Sequence, residues 1–272
     1  MKDPIQYAAS LIRDADGLLI TAGAGMGVDS GLPDFRGDSG FWKAYPALAK
    51  SGISFTSIAN PEAFWRNQRQ AWGFYGHRLA LYRKTVPHVG FSILKAFGEK
   101  LPHGAFVVTS NVDGQFQKAG FDGSRILEIH GSIHHLQCCE PCGESIWTAD
   151  KLNPATDDVE CRWLGDLPTC PYCGKLARPN ILMFGDDRWL AERQIIQRTY
   201  WKMWQESVAR MVVIECGAGI DIPSIRRISE SQGCPVIRIN PRDSYLSEGN
   251  GVSLAMRAKQ ALGMMAELLL DK

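Results

Sequence analysis

Gly17-Leu18-Leu19-Ile20-Thr21-Ala22-Gly23-Ala24-Gly25-Met26-Gly27-Val28-Asp29-Ser30-Gly31-Leu32-Pro33-Asp34-Phe35-Arg36-Gly37 is a short apolar run that empties into glycines and then into a polar loop with an aromatic ring. The run reads as a strand and the glycines as a phosphate loop. Residues 23, 25 and 27 lack the Cβ atoms that would keep an anion from the backbone N–H groups, and a helix starting there would add its positive end. A dinucleotide is the natural ligand. The spacing departs from the usual G-x-G-x-x-G fingerprint, since the third glycine falls one place early and no strand-end acid follows on schedule.

Outward from this stretch, the strand-then-polar-tip pattern recurs. Ala105-Phe106-Val107-Val108 ends in Thr109-Ser110-Asn111-Val112-Asp113, and Arg125-Ile126-Leu127-Glu128-Ile129 delivers His130-Gly131. Met211-Val212-Val213-Ile214 empties into Glu215-Cys216-Gly217-Ala218-Gly219, and Val236-Ile237-Arg238-Ile239 into Asn240-Pro241. Continuous apolar runs of this kind belong to a parallel sheet covered on both faces, and polar groups at the carboxyl ends of its strands face the ligand crevice. A short helix is expected from Pro4 to Asp16, several aromatic-rich helices from Phe41 to about Leu101, and covering helices over Glu192–Ala209 and Leu254–Leu270. The expected fold is therefore α/β, a doubly wound, mostly parallel Rossmann-like sheet built from residues 1–40, 102–131 and 180–272. A helical insertion over 41–101 and a smaller zinc-binding module over 132–179 complete it.

That module is short of long apolar runs and holds Cys138, Cys139, Cys142, Cys161, Cys170 and Cys173. Cys139-Glu140-Pro141-Cys142 and Cys170-Pro171-Tyr172-Cys173 are C-x-x-C knuckles whose thiolates can meet at one zinc ion, giving Cys139, Cys142, Cys170 and Cys173 as a tetrahedral S4 site. Four thiolates leave no open position, so the metal is structural. Cys138 rivals Cys139 as first ligand through a C-x-x-x-C reading. Cys161, Cys216 and Cys234 read as packing residues.

The 272 residues are 45% hydrophobic, enough for a sizeable core. Thirty basic residues nearly balance 29 acidic ones, so no strong field points to nucleic acid or an acidic membrane. No run approaches the roughly 20 apolar residues of a membrane span, and the N-terminal residues lack the apolar core of a secretion signal. A cytoplasmic location follows as the expectation, with cysteines reduced and available to metal.

Chemistry at these strand tips suits cleavage of a glycosidic bond, which needs groups to hold the leaving group and a base to activate a hydroxyl. Asn111 and Asp113 supply the first and His130 the second, because an imidazole titrates near neutrality.

Ser30-Gly31-Leu32-Pro33-Asp34-Phe35-Arg36-Gly37, Thr109-Ser110-Asn111-Val112-Asp113, Ala119-Gly120 and Glu128-Ile129-His130-Gly131-Ser132 occur in the order of the signature segments of the sirtuins, the NAD-dependent protein deacylases, which the chain resembles. Arg178-Pro179-Asn180-Ile181-Leu182-Met183-Phe184-Gly185-Asp186 is similar to the sirtuin strand that lines the acyl-lysine tunnel. The resemblance implies NAD and zinc as cofactors and an acylated protein or peptide as substrate. Gly23, Ala24, Gly25, Asp34, Phe35, Arg36 and Ser110 would then contact NAD, with Gly217, Ala218 and Asn240 along its adenosine half. Asn111 and His130 would be catalytic, Asp113 would share the nicotinamide pocket, and Ile181 and Phe184 would flank the lysine. ADP-ribosyltransfer to a protein, NAD hydrolysis and NAD-sensing without catalysis are the alternatives. The chain departs from the family at Ser110, where glutamine is usual, at Gly217-Ala218-Gly219, where two hydroxyls are lost, at Gln115-Phe116 and at Gly27. Each lost hydrogen bond costs on the order of 1 kcal/mol of cofactor affinity.

Overall fold

The computed structural model describes residues 3–34, 37–143, 145–247, 249 and 251–270, the side chains of 37–39 excepted. Phe35 and Arg36, both expected at the cofactor, lie outside the described residues. In chain order the strands are β1 (Gly17–Ala22), β2 (Ala105–Thr109), β3 (Ile126–Glu128), β4 (Gly131–Cys138), β5 (Ile146–Thr148), β6 (Thr156–Asp157), β7 (Arg162–Trp163), β8 (Ala177–Ile181), β9 (Met211–Cys216), β10 (Val236–Ile239) and β11 (Gly251–Leu254).

Among the described residues, six strands form one sheet in the order β11-β10-β9-β1-β2-β3, and every neighbouring pair is parallel. β1 lies at the centre with Leu18 between Ala105 and Val212, and all its residues are buried, which is why the run shows no polar alternation. Leu18 and Ile20 face helices Pro4–Asp14, Val89–Glu99 and Ala258–Leu269, packing with Ile12, Phe97 and Leu262. Leu19 faces the other way, into a cluster with Phe106, Val213, Trp204 and Ile225 under helices Glu192–Ser207 and Ser224–Glu230. The strand order reverses between β1 and β9, and α/β sheets bind ligands outside the carboxyl ends of their strands at such a switch point.

A second apolar cluster joins the helical stretch to the cysteine-bearing segment. Phe41, Phe64, Trp72 and Tyr75 pack with Ile133, Trp163, Ile181 and Met183 around the antiparallel sheet β5-β4-β8. β6 and β7 form a separate short antiparallel pair. The helix expected after the glycine loop is a 3-10 helix, Ala24–Ser30. One local expectation changes: Leu254 ends an edge strand, and the last helix starts at Ala258. Among the described residues, no helix is long and apolar enough to cross a membrane.

Candidate active site and metal centre

A cleft of about 710 Å³ opens where the strand order reverses. Its sheet side is made by Gly23, Ala24 and Gly25 after β1, Ser110, Asn111 and Asp113 after β2, His130 after β3, and Gly217 and Ala218 after β9. Ile181, from the second apolar cluster, and Phe184 also line it. Asp34 also lines the cleft.

The glycines act differently from the expected phosphate cradle. An added Cβ at Gly23 would stand 2.8 Å from the Gly217 carbonyl oxygen, and one at Gly25 would stand 2.7 Å from the Gly217 Cα. The Gly25 N–H donates to the Gly217 carbonyl at 3.1 Å, and the Gly23 N–H to the Cys216 carbonyl at 3.0 Å. These residues let two loops touch backbone to backbone, and their N–H groups are already engaged.

The tip of β2 is tied to that of β1. The Thr109 hydroxyl donates to the Ala22 carbonyl at 3.0 Å and accepts from the Asn111 N–H, and the Asn111 side-chain amide donates to the Gly23 carbonyl at 3.1 Å. This leaves the Asn111 side-chain oxygen available to a ligand amide. The Asp113 Oδ1 accepts from the Gln115 N–H at 3.0 Å, yet burial pushes the carboxyl up to about 6. His130 lies at the head of β4, where Gly131 adopts φ +76° and a Cβ would stand 2.1 Å from the Asn180 carbonyl oxygen. Burial holds the His130 imidazole below its usual value, offset in part by a hydrogen bond to the Ser110 backbone. A ring N–H given to a carbonyl leaves the other ring nitrogen as an acceptor, the form a general base requires.

Asn240 is fully buried and does not line the cleft. Its amide donates to the Ala218 carbonyl at 2.9 Å while its oxygen accepts from the Arg242 and Asp243 N–H groups, so it braces the loop that does. The substrate-side loop is pinned by a buried bidentate pair, Arg178 to Asp186 at 2.7 and 2.9 Å, and Asp186 also accepts from the Met183 and Arg188 N–H groups. Sequence reasoning missed Tyr75, Arg78 and Tyr82, which line the cleft from helix Gln68–Lys84. Arg78 donates to the Tyr82 hydroxyl at 2.9 and 2.7 Å and lies over the Phe74 ring. The signal was an arginine with Phe74, Tyr75 and Tyr82 all three or four residues away from it.

The metal centre corrects one expected ligand. Sulfur atoms of Cys138, Cys142, Cys170 and Cys173 all lie within 4.8 Å of one another, with Cys138 to Cys173 and Cys142 to Cys170 at 3.7 Å. Tetrahedral zinc with bonds of about 2.3 Å sets sulfur–sulfur separations of about 3.8 Å, so the cluster fits this ion. Cys139 is not part of it. Consecutive residues of an extended chain point to opposite sides, and the Cys139 side chain turns into the aromatic cluster, where burial pushes its thiol up to about 12.

Residues 23–215 match the profile of the Sir2 family. An NAD-dependent protein deacylase of Aquifex aeolicus is 27% identical over 255 residues, covering 94% of this chain and 96% of that protein. NAD-dependent protein deacylase 2 of Pyrobaculum aerophilum is 29% identical over 266 residues, covering 95% and 93%. Among solved structures, a Sir2 homologue–NAD complex superposes with a TM-score of 0.74 at 22% identity, covering 99% of this chain and 94% of that one. Sir2 bound to an acetylated peptide gives a TM-score of 0.69 at 18% identity, with 98% of each chain covered.

Proposed function

The chain belongs to the Sir2 family, and from that premise we propose that it is an NAD-dependent deacylase acting on acylated lysines of proteins or peptides. The observation that carries the reading is the convergence of His130, Asn111 and Asp113, from two neighbouring strand tips, on one cleft at the point where strand order reverses. The cleft fits a dinucleotide in size, within the several hundred Å³ common to such sites, and is lined by the Asp113 carboxyl, the Asn111 amide and the His130 imidazole.

NAD, when bound, supplies the ribosyl carbon that takes up the acyl oxygen as nicotinamide leaves. Asn111 and Asp113 hold the carboxamide, the amide oxygen accepting and the carboxylate receiving an N–H. The unprotonated His130 nitrogen takes a proton from a sugar hydroxyl. Ala24 and Ser110, with Gly23 and Gly25 shaping the loop, border the sugar and pyrophosphate, and Asp34, Phe35 and Arg36 belong to the same proposal through the loop they share. Gly217 and Ala218 border the adenosine half, braced by Asn240. Ile181 and Phe184 wall the acyl-lysine chain and keep water from it. Cys138, Cys142, Cys170 and Cys173 would hold a structural zinc that ties the end of β4 to the turn before β8. The division into a sheet domain (1–40, 102–131, 180–272), a helical insertion (41–101) and a zinc module (132–179) is part of this reading. So is a reducing compartment, the cytoplasm, which suits thiols held as metal ligands.

Incubation with NAD and an acetylated peptide tests it, with nicotinamide, deacylated peptide and ADP-ribosylated protein measured together. Nicotinamide and deacylated peptide are expected in equal amounts. His130→Ala is expected to lose deacylation by at least about 100-fold, the scale of general-base catalysis, while retaining NAD binding. Nicotinamide release without deacylation would refute the assignment.

A further inference from the structure

Strand β4 parts from its neighbour β8 in mid-course. Ser132 pairs with Asn180 and Leu136 with Pro179, so residues 133–135 have no partner in β8. Such a bulge re-aims side chains, and here it turns the chain toward the β2 tip. The Ile133 N–H donates to the Val112 carbonyl at 3.0 Å, and the His134 ring Nε2 meets the Asp113 carbonyl oxygen at 3.0 Å. A carbonyl only accepts, so Nε2 carries the hydrogen.

The backbone of His134 is itself fixed: its N–H donates to the Ser132 hydroxyl at 3.3 Å and its carbonyl accepts from the Ala149 N–H at 2.8 Å. Gly114 sits directly under the ring. With φ +68°, a Cβ there would stand 2.7 Å from His134 Cδ2, so the close approach of this imidazole requires glycine. His134 thus grips the carbonyl of the residue whose carboxyl faces the cleft. It does so from a strand that begins beside His130 and ends at the metal-cluster residue Cys138.

We infer that His134 is a positioning residue for the nicotinamide end of the cleft, fixing the Asp113 backbone and through it the carboxyl that receives the carboxamide. The inference rests on the proposal that Asp113 holds that group. The bulge, the fixed tautomer and the glycine beneath the ring together supply a rigid strut at Asp113 itself, beyond the ties the loop after β2 has at Asn111 and Val112.

The test uses the metal-loaded full chain and four proteins: unsubstituted, His134→Phe, His134→Gln and Asp113→Asn. Phenylalanine keeps the ring and removes the donor, whereas glutamine places an amide N–H near the position of Nε2. The readouts are KM for NAD, kcat, the nicotinamide concentration giving half inhibition, and Tm. His134→Phe is expected to raise both the NAD KM and the half-inhibiting nicotinamide concentration about fivefold, the factor for one neutral hydrogen bond, with kcat changed less. His134→Gln is expected to restore both to within about twofold of the unsubstituted protein. Asp113→Asn is expected to weaken nicotinamide inhibition more than either. Inhibition unchanged in His134→Phe but weakened in Asp113→Asn overturns the role of His134 alone. Inhibition unchanged in Asp113→Asn overturns the assignment of Asp113 and the inference with it. Equal losses in the Phe and Gln variants, in step with Tm, make His134 merely structural and also overturn the inference.

Discussion

Gly217→Ala strikes the contact between the two loops that flank the cleft. Gly217 has φ +62°, a region that costs an alanine about 1–2 kcal/mol. The new Cβ would stand 2.3 Å from the Gly25 carbonyl carbon, 2.4 Å from the Met26 nitrogen and 2.5 Å from the Gly25 Cα. All three are backbone atoms, so no rotamer relieves the overlap. Restoring van der Waals distance moves the loops apart by about 1 Å. That motion stretches the Gly25 N–H to Gly217 carbonyl bond from 3.1 Å past hydrogen-bonding range and forfeits about 1 kcal/mol. The sum is about 2–3 kcal/mol of stability, read as a lowered urea midpoint at unchanged slope. NAD affinity by calorimetry is expected to fall at least about tenfold, because both displaced loops border the cofactor cleft. Gly219→Ala is the control: no atom of the described residues lies within 4 Å of its Cβ position, and the change is expected to stay within about 0.5 kcal/mol. A Gly217→Ala protein with an unshifted midpoint and unaltered NAD affinity would refute the account of these glycines.

Asp113, pushed up to about 6 by burial, contributes stability in its protonated form that is complete below about 3.8 and is lost as pH rises through about 6. Asp113→Asn is therefore expected to be more stable than the native protein at pH 7.5, by about 2–3 kcal/mol in urea unfolding, and to flatten the rise of kcat/KM for NAD between about pH 5 and 7. His130, lowered by burial, keeps its base form to more acid pH than a free imidazole. Cys138→Ser is expected to abolish stoichiometric zinc and cooperative unfolding, while Cys139→Ser retains the metal, both read by metal analysis and calorimetry. Asp186→Asn leaves Arg178 buried without its counter-charge and is expected to cost about 3–5 kcal/mol and raise the peptide KM, read by urea unfolding and steady-state kinetics.

The parallel strands were legible because burial on both faces writes them as continuous apolar runs, and their polar endings announced the site. Strand β11 was not legible: Gly251–Leu254 is a short edge strand with alternating burial that merges into the pattern of the following helix. The order of Cys138 and Cys139 was equally opaque, since both satisfy a knuckle spacing and only the direction in which β4 arrives decides which thiol meets the cluster. Asn240 carries the right chemistry at the right strand tip, but its amide is consumed by the Ala218 carbonyl. The glycines were recognised and their cause was not, because a contact between residues 25 and 217 leaves no trace at either position alone. Arg78 was hidden for the opposite reason: a helix of aromatic residues reads as core, and which turn of it borders a crevice depends on packing between distant segments.

The cleft takes its apolar lining from different clusters, Ala218 and Ile225 from the one under helices Glu192–Ser207 and Ser224–Glu230, and Tyr75, Ile181 and Met183 from the one shared by the aromatic helices and the cysteine-bearing strands. Met183 packs in the aromatic cluster and has no place in the clusters that cover the parallel sheet. On the proposed assignment of this wall to the acyl-lysine chain, a substitution at Met183 is therefore expected to alter acyl preference more than NAD affinity, read from the KM of each.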